Sequence, residues 1–161
     1  MISLSSGEIN KKIATVQKNW ATGIVNIGKT YLENKDYISI TKKLIDDLYF
    51  FKKGKLLFKP TKASDKPFRT KKNEFISYFI GHDKVSDEDV GFALEPWKSI
   101  EYNNFEIVEY ENVFISMGNY TFTDYKDNHL NAEYSFGYML DKDENKFKII
   151  FHHSSLPFNK N

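Results

Sequence analysis

Asn112-Val113-Phe114-Ile115-Ser116-Met117-Gly118-Asn119-Tyr120-Thr121-Phe122-Thr123 is rich in β-branched and aromatic residues and reads as a strand, whose side chains point alternately to its two faces. Val113, Ile115 and Met117 share one face, and Phe114, Tyr120 and Phe122 share the other. Both faces are largely apolar. A sheet of that kind needs a cover on each side. The pattern therefore predicts helices on one face and a second subunit on the other, a homodimer through the sheet face.

Three more segments read as strands, about Ser99–Glu109, Leu130–Leu140 and Lys146–Ser155, with turn residues at Asp124–Asn128 and Asp141–Asn145. Upstream the period changes. Ser5-Ser6-Gly7-Glu8 forms a capping box, and Ile9, Ile13, Val16, Trp20, Ile24 and Ile27 line one face of a long helix that Gly28 is placed to close. A second helix is expected from about Asp36, with Tyr37, Ile40, Leu44 and Leu48 on its apolar face. Gly54 breaks the chain before a short strand, Leu56-Leu57-Phe58. Pro60 to Pro67 reads as a loop. Thr70 is placed to cap a short helix carrying Phe75, Tyr78 and Phe79 and stopped by Gly81, and His82 to Asp89 reads as a loop.

With no repeat, linker or low-complexity segment, residues 1–161 are expected to form a single domain. Helices first and a strand meander afterwards indicate an α+β fold. N-terminal helices packed on a curved antiparallel sheet would make a cone with a central cavity, the architecture of the nuclear transport factor 2-like, or cystatin-like, folds.

Composition narrows the function classes. The chain holds 14 Phe, 10 Tyr and 2 Trp, enough large side chains to line a deep cavity or to fill a thick core. Its net charge is +1 and its basic residues are scattered, so nucleic acid is not an expected partner. The absence of cysteine excludes disulfides, thiolate metal sites and cysteine nucleophiles. No stretch approaches the roughly 18–20 apolar residues of a membrane span. Met1-Ile2-Ser3-Leu4-Ser5-Ser6 is too short and polar for a signal peptide, and the compartment, cytoplasmic or periplasmic, stays open.

The chemistry-bearing residues gather near the end, in Phe151-His152-His153-Ser154-Ser155-Leu156-Pro157. Strand alternation counted from Phe147 groups Ile149, Phe151, His153 and Ser155 on one face. That predicts an apolar cavity wall ending in His153 and Ser155, with His152 and Ser154 turned away. A plainer reading makes them strand-end residues satisfied by backbone. Adjacent strand residues face opposite ways, so His152 and His153 cannot readily grip one ion. His82 and His129 lie in predicted loops, without metal-binding spacing. A dedicated zinc site is not expected; a weak magnesium or manganese site stays open. Pro60 fixes the backbone before Thr61, whose hydroxyl is a candidate for the cavity mouth, and Tyr78 is a second candidate hydroxyl. Arg69 reads most simply as half of a surface ion pair, worth little.

Several segments together resemble a known family: Trp20 with Gly23, Leu57-Phe58-Lys59-Pro60-Thr61-Lys62-Ala63, Pro67-Phe68-Arg69, Gly91-Phe92-Ala93-Leu94 with Pro96-Trp97, Met117-Gly118-Asn119-Tyr120, and the His152–Pro157 tail. The chain resembles the bacterial and algal group related to the association domain of calcium/calmodulin-dependent protein kinase II, whose enzymatic members are the iota-class carbonic anhydrases. The resemblance implies a metal-free pocket of Thr61, Tyr78, His153 and Ser155, no cofactor, and carbon dioxide and bicarbonate as partners. Thr61, Tyr78 and Ser155 would hold water and the bicarbonate oxygens, and His153 would accept or relay the proton. Where the family commonly shows three histidines, this chain has Phe151 in the first place, so any role for that histidine is absent or dispensable here. Two other readings remain, a non-enzymatic association module and a SnoaL-like isomerase or hydrolase.

Overall fold

A computed structural model describes residues 4–160. Helix α1 (Ser6–Leu32) opens with the expected capping box: the Ser5 hydroxyl accepts the Glu8 amide at 3.3 Å while the Ser5 amide donates to Glu8 Oε2 at 2.8 Å. The helix continues past Gly28, contrary to expectation. Gly28 serves packing, because a Cβ there would lie 2.8 Å from the Ala93 carbonyl oxygen. Helix α2 (Tyr37–Leu48) begins where expected, and the Asp36 side chain caps it by accepting the Ser39 amide. Its Leu44 packs so closely on Gly23 of α1 that a Cβ would lie 2.5 Å from it.

The short strand β1 is Leu57–Lys59, and helix α3 (Lys72–Ile80) ends at Gly81 in the left-handed region, φ 62°. Thr70 does not cap α3. Its amide donates to Glu74 Oε2 at 3.0 Å, and Lys71 stands at the cap position without a side-chain bond. Strands β2 (Trp97–Tyr110), β3 (Val113–Asp124), β4 (His129–Asp141) and β5 (Lys146–Ser155) form the antiparallel meander. The sheet order is β1-β5-β4-β3-β2, with β1 joined parallel to β5.

The helices cover one face of this sheet. Phe114, Ser116, Tyr120 and Phe122 of β3 point into the core, whereas Ile115 and Met117 are exposed on the other face. The alternation of β3 is as its sequence predicts. On the outer face, cross-strand partners form a row Val108–Ile115–Gly137–Phe151–Leu57.

Candidate active site

Strand β5 does not keep the alternation expected of it. Phe147 and Ile149 are buried as predicted, but farther along it is His152 and Ser154 that are buried, 2% and 1% exposed. His153 is exposed and Ser155 is half-buried. The expected inward placement of His153 and Ser155 is therefore overturned. Its cause is a β-bulge. Gly137 pairs with Phe151 and Tyr138 pairs with Ile149, which leaves Ile150 as an extra residue. One inserted residue reverses the facing of every side chain beyond it. Gly137 gives the bulge room, since a Cβ there would lie 3.2 Å from the Phe151 Cβ.

Beyond the bulge, His152 sits opposite Phe136 on one side and Phe58 on the other. Its ring stacks between theirs, with centroids 4.0 Å and 4.8 Å away. Trp20 meets the same ring edge-on at 5.7 Å. His152 Nδ1 lies 2.8 Å from Tyr49 Oη, which also accepts Trp20 Nε1–H at 3.0 Å. On the other side, Nε2 lies 3.3 Å from Tyr120 Oη. Tyr120 donates to Ser154 Oγ at 2.6 Å, and Ser154 Oγ lies 2.5 Å from Thr61 Oγ1.

Thr61 and Tyr78, both named from the sequence, lie at this cluster. Thr61 is 8% exposed, the most open member of the cluster. The Tyr78 hydroxyl accepts the Lys62 amide at 3.2 Å, which pins it beside the Thr61 turn. Every titratable group here is pushed toward its neutral form. Burial raises Tyr78 and Tyr120, and the Thr61 hydroxyl opposes that in both without reversing it. Burial lowers His152 well below 6.5, and His153 adds to the effect. The result is a charge-free knot of hydroxyls and one imidazole inside an aromatic shell.

A buried ion pair braces the Thr61 loop against α3. Arg69, expected at the surface, is 1% exposed and bidentate to Asp89 at 2.7 Å and 2.8 Å. It also donates to the carbonyls of Lys66 and Glu74, while the Ser77 hydroxyl donates to Asp89. The guanidinium lies 5.7 Å from the centroid of the Tyr78 ring. The Glu88 carboxylate accepts the amides of Ser64, Asp65 and Lys66, which lowers its pKa to about 2. Removing one member of a fully buried pair such as Arg69–Asp89 costs about 3–5 kcal/mol, because the other is left as an uncompensated buried charge.

The other half of the tail has different surroundings. His153 and Ser155 line a shallow hollow of about 280 Å³ on the outer face, with Met117, Gly118, Glu133, Tyr134 and Ser135. Burial followed by the charge of Lys59 lowers the His153 pKa. Among the described residues, no group of three or more His, Asp or Glu is placed to hold a metal ion.

Sequence reasoning missed Tyr49, Tyr120, His152 and Ser154 as members of the cluster. Tyr120 carried a usable signal: it is the one hydroxyl-bearing aromatic on the inward face of β3 between apolar neighbours. Tyr49 carried none, because it follows α2 directly and reaches the site only through tertiary packing.

The sequence pattern of the metal-independent carbonic anhydrase family matches residues 11–156. A metal-independent carbonic anhydrase of Nostoc sp. (strain PCC 7120 / SAG 25.82 / UTEX 2576) is 38% identical over 151 residues, covering 91% of this chain and 73% of the relative. The crystal structure of a cyanobacterial iota-carbonic anhydrase complexed with bicarbonate superposes with a TM-score of 0.89 at 34% identity, covering 98% and 94% of the two chains. An NTF2-like protein from Streptomyces avermitilis superposes with a TM-score of 0.57 at 7% identity, covering 92% and 96%, a likeness of fold alone.

Proposed function

The chain belongs to the metal-independent carbonic anhydrase family, and from that premise we propose that it hydrates carbon dioxide reversibly at the Thr61–Ser154–Tyr120 cluster. The observation that carries this reading is the line of hydroxyls at 2.5 Å and 2.6 Å ending at the most open residue of an otherwise apolar shell. Carbon dioxide is apolar overall and enters such a shell at little cost. As water attacks its carbon, negative charge grows on an oxygen, and fixed hydroxyl donors stabilise it there. Thr61 and Tyr78 are the donors assigned, with Ser154 behind Thr61, Tyr120 holding Ser154 and His152 holding Tyr120.

The neutrality of the site supports a proton route that leaves no charge on the protein. A buried ammonium, imidazolium or phenolate would be costly here. The attacking water passes a proton to a hydroxyl oxygen while that hydroxyl passes its own proton to an oxygen of carbon dioxide. The new bond is carbon to water oxygen, the protein ends as it began, and the product is carbonic acid. That acid then ionises to bicarbonate and a proton released to solvent. His153, placed on the outer face, has no part in these steps, and neither has Ser155.

Stopped-flow hydration on metal-stripped chain with chelator present tests this. Activity persists, and Thr61→Ala lowers it by about 10²–10³, the loss expected for one oxyanion-type donor. A stripped chain no faster than buffer overturns the reading. The exposed apolar row of Val108, Ile115 and Leu57 across the outer face, in a chain of net charge +1, supports a homodimer formed through that face. Residues 1–161 are taken to act as one domain.

A further inference from the structure

Resting on that reading of the site, we propose that Trp20 and Tyr49 are positioning residues that set, through His152, the direction in which the hydroxyls of the site donate. The argument starts from the one group whose role admits no choice. An indole N–H only donates. Trp20 Nε1 donates to Tyr49 Oη at 3.0 Å, so the accepting side of that phenol is taken. The remaining in-plane direction carries the phenol's own proton, and His152 Nδ1 stands there at 2.8 Å.

His152 Nδ1 therefore accepts. In a neutral imidazole the proton then sits on the other nitrogen, Nε2. Nε2–H points to Tyr120 Oη at 3.3 Å. Tyr120 passes the sense on to Ser154 Oγ at 2.6 Å, and Ser154 passes it to Thr61 Oγ1 at 2.5 Å. The proton of Thr61 is the last in the line. It is free to meet an oxygen of the substrate at the most open point of the cluster. One buried indole thus sets the direction of the four hydrogen bonds that follow its own.

Without the indole, Tyr49 is free to accept from a proton on Nδ1. Nε2 becomes an acceptor, and Tyr120, Ser154 and Thr61 turn their protons inward one after another. Thr61 then presents a lone pair to the substrate oxygen. A lone pair facing growing negative charge repels it, so the reversed chain is inactive in the hydration step. The groups that face His152 from the elements packed on it are Trp20, Tyr49, Phe58, Tyr120 and Phe136, none of them carrying a charge. The ring is oriented by hydrogen bonds alone.

Nitrogen NMR on the full chain with labelled histidine reads the tautomer directly. The expected parent spectrum has His152 unprotonated at Nδ1 and protonated at Nε2. In Trp20→Phe the Nδ1–H form appears, and kcat falls about tenfold with KM little changed, as for partners that orient a functional histidine. Tyr49→Phe keeps the ring and loses only the hydroxyl, so it separates orientation from core damage. It is expected to shift the tautomer and lower kcat in the same way. Ile24→Val, a trimmed core residue on the same helix, leaves tautomer and rate as in the parent. A parent protonated at Nδ1 overturns the proposal, as does a Tyr49→Phe chain that keeps both tautomer and kcat. A parent with the expected tautomer but no hydration rate overturns the hydration reading and leaves the orientation of His152 standing.

Discussion

His152 and His153 are neighbours in sequence and opposites in environment. The first lies between the rings of Phe58 and Phe136 with both nitrogens in hydrogen bonds to tyrosines. The second stands beside Lys59 on the outer face, opposite Ser135. The same contrast separates Ser154, held between Tyr120 and Thr61, from Ser155, which borders the outer hollow. What differs is not residue type but the parity of the strand. Ile150 sets that parity by bulging out of the ladder with β4. A single unpaired residue decides which half of the tail belongs to the core.

Alanine at each serine is the largest test of this contrast. Ser154→Ala removes the group that accepts from Tyr120 and reaches Thr61, leaving two buried hydroxyls without their partner. Its hydration rate is expected to fall by about 10²–10³. Ser155→Ala changes a half-buried group on the far side of the sheet, and the rate stays at the parent value. Equal losses from the two substitutions, measured by stopped flow, would break the comparison.

Stability against pH gives a second, smaller effect. Burial holds the folded pKa of His152 well below 6.5. Below that pH the unfolded chain binds a proton that the native chain excludes, so stability falls as pH falls. The contribution is complete above the unfolded pKa and is lost at up to about 1.4 kcal/mol per pH unit below it. His153 is lowered too, by burial and Lys59, with the same sign, but it is exposed and solvent screens it. Urea midpoints between about pH 7.5 and pH 5 are expected to drop in the parent. His152→Asn flattens most of that slope, whereas His153→Asn keeps most of it.

The fold was largely legible because its signals are local. A capping box at Ser5–Glu8, a six-residue apolar stripe on α1 and the alternation of β3 each depend on spacing within one element. The site was half legible. Thr61 and Tyr78 were marked by the resemblance, and Pro60 drew independent attention to Thr61. The tail was recognised as important but assigned the wrong face, since a bulge is a property of two strands in register. Nothing in Lys146–Ser155 by itself announces it, although Gly137 across the ladder is the residue that gives it room. Arg69 was misplaced for a similar reason: its partner Asp89 is 20 residues away in a loop, and only folding brings the two together.

Phe151→His is the mildest test and sharpens the comparison from its outer side. The family's common histidine at this place would stand, in this chain, between Gly137 and Leu57 on the outer face. It would lie one position beyond the bulge and on the opposite side from His152. The hydroxyl line from Tyr120 to Thr61 does not reach it, so the hydration rate is expected to be unchanged. Phe151 instead completes the apolar row that Val108, Ile115 and Leu57 present outward. A polar ring there removes apolar area from the proposed subunit contact, weakening it by about 1–2 kcal/mol at roughly 25 cal/mol per Å². Light scattering across a dilution series would show the dimer dissociating at about tenfold higher concentration, since 1.4 kcal/mol corresponds to a factor of ten. Loss of hydration without loss of the dimer would place Phe151 with the inner half of the tail, and the parity argument would fail.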